Sequence, residues 1–151
     1  EGDTVLFAVG CRKDGYCADM TRTFFYKKVP SEKHRAIYET VRRANAAAEA
    51  ILKPGVPLCE VDKAARQIIE DAGYGPNFTH RLGHFIGLEV HEYGDVSSAN
   101  TKVAEVGNIF SIEPGIYVEG EVGVRIEDLV LITEDGCEIL NSFSKELDIV
   151  E

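Results

Sequence analysis

The sequence contains no apolar run of eighteen residues, which excludes a helical membrane span, and its first residues do not resemble a signal peptide. It also lacks a CxxC pair. Its four cysteines, Cys11, Cys17, Cys59 and Cys137, are scattered, which favours reduced thiols in a cytoplasmic protein over a thiolate metal site or a disulfide framework. Basic residues are in the minority. A formal net charge of −10 argues against nucleic acid as a partner and leaves carboxylates available as metal ligands. Low-complexity segments, short repeats and an initiator Met are all missing. The chain opens on Glu1-Gly2-Asp3, a turn signal, and runs at once into an apolar stretch, so it is expected to be a piece of a longer protein. What is present, 151 residues at 44% apolar and 28% charged, suits one globular domain or a large part of one, with a sizeable core.

Local patterns give a coarse order of elements. Strand-like Val5–Val9 and Tyr16–Phe25 flank a polar turn at Cys11–Gly15, a hairpin signal. Ser31 is the expected N-cap of a helix whose apolar face recurs at Ile37, Val41, Ala44, Ala48, Ile51 and Leu52. Pro54-Gly55-Val56-Pro57 breaks the chain. A second helix is expected over Cys59–Ala72, with Val61, Ala65, Ile68, Ile69 and Ala72 inward and Gly73 as its stop. Ile109–Glu113, Gly115–Val118, Val122–Thr133 and Glu138–Leu140 then read as strands, with a turn at Glu134-Asp135-Gly136. Strands, two helices and more strands indicate an α+β fold.

Three of the four histidines fall in one stretch, HRLGHFIGLEVH, at His80, His84 and His91. Gly83 and Gly87 disfavour a long helix, and Arg81 stands where a helical HExxH zinc motif needs Glu. Read as a strand, the stretch puts His84, Ile86, Leu88 and Val90 on one face and Phe85, Gly87, Glu89 and His91 on the other. That parity implies different tasks for His84 and His91. His34 lies on the polar side of the first helix and reads as an ordinary surface residue.

Carboxylates accompany these histidines in otherwise apolar, strand-like surroundings. Asp19, Thr21 and Thr23 share one face of Tyr16–Phe25, Glu113 stands directly before Pro114, and Arg125 and Glu127 project to one side of Val124–Asp128. Each alone reads as a solvated strand residue, with Arg125 neutralising Glu127 at the surface.

In order along the chain, GYCADMTRTF, GHFIGLEVHE, SIEPGIYV and VRIEDLVLIT resemble the pita-bread metallopeptidases, in their Xaa-Pro aminopeptidase and prolidase branch. The resemblance implies an α+β pita-bread fold, with residues 1–151 as the C-terminal part of the catalytic domain and its N-terminal portion missing. It implies Asp19, His84, Glu113 and Glu127 as metal ligands, Asp19 and Glu127 bridging two ions. It further implies that His80, His91 and Arg125 serve the substrate, which would be a short peptide with proline in second place. Two hard divalent ions held mainly by oxygen can share a water, lower its pKa and polarise a carbonyl. Manganese is the first expectation, with cobalt, zinc and iron as alternatives. A homodimer is compatible with this reading. A non-catalytic peptide-binding relative and a creatinase-like hydrolase are the competing ones.

One departure bears on activity. The family pattern has an Asp, in wording like D-x-G, eleven residues before the bridging one; here Ala8 stands there. A hairpin turning at Lys13-Asp14 would set Ala8 opposite Asp19. An Asp at 8 would then lie about 5 Å from Asp19 and be repelled by roughly 3 kcal/mol, tolerable only beside a cation. With Ala8 the chain is expected to hold at most one ion tightly, or none, and to have little or no peptidase activity.

Overall fold

A computed structural model describes residues 1–151 and has the α+β order that the patterns imply. Strands β1 (Thr4–Lys13) and β2 (Tyr16–Tyr26) form a long hairpin, followed by helices α1 (Glu32–Ile51) and α2 (Leu58–Asp71). The rest is short strands: β3 (Gly83–His84), β4 (Asp95–Val96), β5 (Ile109–Ile112), β6 (Gly115–Val118), β7 (Val122–Arg125), β8 (Asp128–Ile132), β9 (Cys137–Ile139) and β10 (Ile149–Val150). No helix is long and apolar enough to cross a membrane.

The hairpin turns one residue later than expected. Asp14 and Gly15 both have positive φ, 52° and 91°. That is the backbone a two-residue primed turn requires, and an Asp-Gly pair adopts it at less cost than Lys-Asp would. Lys13 therefore pairs with Tyr16, Ala8 faces Thr21, and Asp19 faces Gly10. Ala8 is diagonal to Asp19, not opposite it. Because Asp19's partner moves by two residues, Ala8 stays on the face that carries Asp19 and Thr21.

Helix α1 starts where its cap indicates: the Ser31 side chain accepts a hydrogen bond from the His34 N–H. Ile37, Val41, Ala44, Ala48 and Leu52 are buried, whereas Ile51, at the helix end, is exposed. Helix α2 follows Pro57 and closes at Gly73, whose φ of 85° ends it; Ala72 there is exposed. The inner faces of both helices pack with Phe25, Phe110, Ile112, Ile116, Val124 and Ile126 in one continuous core.

Sheets β1-β2-β10, β5-β8-β9, β6-β7 and β3-β4 surround this core. Isolated bridges join them at two points, Thr21 with Glu127 and Phe85 with Phe110. Two strands expected to be long are interrupted there. Val122–Thr133 breaks at Ile126-Glu127, so β7 pairs with β6 while β8 pairs with β5. The histidine stretch is a strand only at Gly83–His84. Beyond Ile86 the chain folds back, with the Glu92 carboxylate accepting from the N–H groups of Leu88 (2.7 Å) and Glu89 (3.3 Å). Leu88 and Val90 are consequently exposed while His84 and Ile86 are buried, so the two-residue parity does not hold past residue 86.

Candidate metal centre

Four side chains meet near the Thr21–Glu127 bridge: Asp19 on β2, His84 on β3, Glu113 just after β5 and Glu127 just before β8. His84, only 2% exposed, points Nε2 toward Glu113 Oε1 at 3.6 Å, Asp19 Oδ2 at 3.8 Å and Glu127 Oε1 at 3.9 Å. One ligand atom each from Asp19, His84 and Glu127 lies within 4.8 Å of the other two; Glu113 adjoins the group through His84.

Neighbouring polar groups fix each donor. The Asp19 carbonyl accepts from Asn141 Nδ2 at 3.2 Å. Thr21 Oγ1 donates to Glu127 Oε2 at 2.5 Å and accepts from Arg125 Nε at 3.2 Å. Ser111 Oγ accepts from the His84 N–H at 2.9 Å and donates to Glu113 Oε1 at 3.1 Å, linking β3 to β5. Close packing makes that link possible. A Cβ on Gly83 would overlap the Ser111 carbonyl. Gly83→Ala is therefore expected to push β3 off β5 and cost at least about 1–3 kcal/mol; thermal unfolding checks this, and an unchanged midpoint would contradict the packing.

The donor set fits a divalent cation on its own geometry. His84 Nδ1 lies 3.1 Å from the Phe85 carbonyl, which can only accept, so the ring hydrogen belongs on Nδ1. Nε2 then presents a lone pair to three carboxylates. With the carboxylates ionised, nothing in that group donates and like charge accumulates; a cation resolves both. The carboxyl groups register the strain. Burial, then the charges of Glu113 and Asp19, push Glu127 up to about 7, and burial also raises Glu113.

His80, Arg81, His91, Glu113 and Arg125 line an adjoining polar cleft of about 480 Å³. The His91 ring lies beside that of His84, their centroids 4.2 Å apart, which corrects the expectation of opposite faces: the chain folding back after Ile86 brings them together. His80 Nδ1 donates to the Arg81 carbonyl at 2.7 Å, leaving Nε2 to accept from the Tyr117 hydroxyl at 3.0 Å. Arg125 Nη1 is 3.4 Å from that same hydroxyl, and burial raises the Tyr117 pKa. His34 stays with Ser31 and Phe25, away from the cleft. Ala8 is exposed on the hairpin face that carries Asp19.

The sequence places Thr21 on the face of Asp19 but gives it no role, and points to neither Ser111 nor Tyr117. Ser111 lies two residues before Glu113, a spacing that could have marked it. Tyr117 carries no such signal.

An α+β frame holding an imidazole and carboxylates beside a polar cleft defines a centre of the kind metal-dependent hydrolases use. The chain belongs to metallopeptidase family M24, a divalent-metal family, which it matches over residues 1–134. It is 51% identical over 150 residues to the putative dipeptidase YkvY of Bacillus subtilis, covering 99% of this chain and 41% of that protein. Its pita-bread fold is shared with the prolidase from Pyrococcus furiosus, at TM-score 0.92 and 44% identity, covering 95% of this chain and 42% of that one. The Xaa-Pro dipeptidase from Bacillus anthracis superposes at TM-score 0.95 with 40% identity, covering 99% of this chain and 42% of that one. The chain thus spans about two fifths of the length of these relatives.

Proposed function

We propose that this chain is the C-terminal part of a pita-bread catalytic domain, and that its parent protein hydrolyses the bond before proline in short peptides. The convergence of Asp19, His84 and Glu127 beside a cleft lined by His80, His91 and Arg125 carries this reading. Asp19, His84, Glu113 and Glu127 would hold the ion, with manganese ahead of cobalt, iron or zinc for a mainly carboxylate donor set. When bound, a divalent ion supplies positive charge that acidifies water and polarises a carbonyl. The chain's own residues do the rest. His91, adjacent to His84, offers an N–H to the peptide oxygen as charge develops there. Arg125, anchored on Thr21 and Tyr117, orients Glu127 and can meet a substrate carboxylate. Four cysteines without disulfides suit a reducing compartment, here the cytoplasm.

Ala8 favours a second reading, peptide binding without hydrolysis, because it takes a carboxylate from the face that carries Asp19. Release of proline from Ala-Pro, with Ala-Leu as control, distinguishes the two when measured on manganese-loaded parent protein. Cleavage restricted to the proline peptide supports the peptidase; calorimetric binding of Ala-Pro without proline release supports the alternative.

A further inference from the structure

Residues 141–146 follow β9 as irregular chain and lie beyond residues 1–134 that match the family. They nevertheless reach, directly or through one side chain, the backbone that carries three of the four candidate ligands, Asp19, Glu113 and Glu127. Asn141 accepts from the Leu129 N–H at 2.6 Å and donates to the Asp19 carbonyl. The carbonyls of Phe143 and Ser144 accept from the Arg22 guanidinium at 2.8 and 3.0 Å. Arg22 is 2% exposed and also donates to the carbonyls of Glu127 (2.7 Å) and Thr21 (2.9 Å) and to Asp128 Oδ1 (2.7 Å). Lys145 completes the circuit. Its ammonium sits 2.9 Å from Asp128 Oδ2, 2.7 Å from Glu49 and 2.8 Å from Asn45 Oδ1. Asn45 in turn donates to the carbonyl of Ile112, the residue before Glu113.

Asp128 is fully buried next to Glu127, and its Oδ2 has no aligned hydrogen bond; the Lys145 charge is what compensates it. Buried ion networks of this kind contribute little net stability compared with apolar packing, so a geometric role explains this one better. We propose that segment 141–146 is a positioning strap for the metal centre, with Lys145 as its key residue. By holding the backbone at Asp19, Ile112 and Glu127, it sets the spacing of the carboxylates and hence the affinity for the ion. This rests on the reading of the four side chains as a divalent-cation site.

Cobalt(II) titration of the chain, followed by calorimetry and visible d–d absorption, tests the proposal. Lys145→Met should weaken cobalt binding about 10–100-fold, as outer partners of ligands do, and shift the d–d bands. Lys145→Arg, which keeps the charge, should restore both. Should Lys145→Met not fold, Lys145→Met/Glu49→Gln removes a carboxylate together with the cation and should show the same loss. Unchanged affinity and bands, with only a lower unfolding midpoint, would overturn the strap. No cobalt binding by the unaltered chain would instead overturn the metal-centre reading, and the strap with it.

Discussion

Glu127→Gln is expected to reduce manganese affinity by more than about a hundredfold, beyond what loss of an outer partner does, and to stabilise the metal-free protein at alkaline pH. The two effects share one cause. Burial, then the charges of Glu113 and Asp19, push the Glu127 pKa from 4.5 to about 7, against the hydrogen bond it accepts from Thr21. Between those values the folded state binds more protons than the unfolded one, so metal-free stability falls as pH rises through that window. Above pH 7 the ionised carboxylate costs on the order of 3 kcal/mol relative to its value in the unfolded chain. Glutamine has no proton to lose and keeps an oxygen for Thr21. Denaturant unfolding in chelator at pH 5 and pH 8 should show the variant ahead only at pH 8. A deficit at both pH values would mean that Glu127 is stabilised by its surroundings rather than held there for a cation.

Ala8→Asp is expected to raise the number of bound manganese ions from one to two per chain. Ala8 lies diagonal to Asp19 on the same hairpin face, so the new carboxylate reaches toward the centre without opposing Asp19 directly. At a diagonal separation of roughly 7–8 Å the repulsion is about 2 kcal/mol at an effective dielectric near 20. Solvent exposure of this strand screens it further. The metal-free variant should therefore be slightly less stable, and manganese should reverse that loss. Elemental analysis after gel filtration gives the count. A stoichiometry still at one would show that position 8 does not serve the second ion.

Much of the fold could be read from residues whose effect is local. Ser31, Pro57 and Gly73 bound the helices because caps and breakers act within a turn, and the 3.6-residue period exposed the buried faces. The hairpin was legible as a hairpin but not in register. Its turn depended on the left-handed preference of Asp14-Gly15, and a one-residue misplacement of the centre moved every partner by two. Strand parity failed after Ile86 because Glu92 folds the chain back through side-chain bonds to backbone, which no periodicity records. Asp19, His84, Glu113 and Glu127 stood out through their motifs. Arg22, Asp128 and Lys145 did not: Arg22 meets Asp128 across 106 residues and Lys145 meets Glu49 across 96, and a charge buried by such distant partners resembles a solvated one in sequence.

Calorimetric titration of the chain with manganese at pH 7.5 tests most directly whether His84 and the surrounding carboxylates bind a divalent ion. One tightly held ion per chain, lost in His84→Ala while the fold is retained, is the predicted result. Absence of binding, or binding that persists without His84, would contradict it.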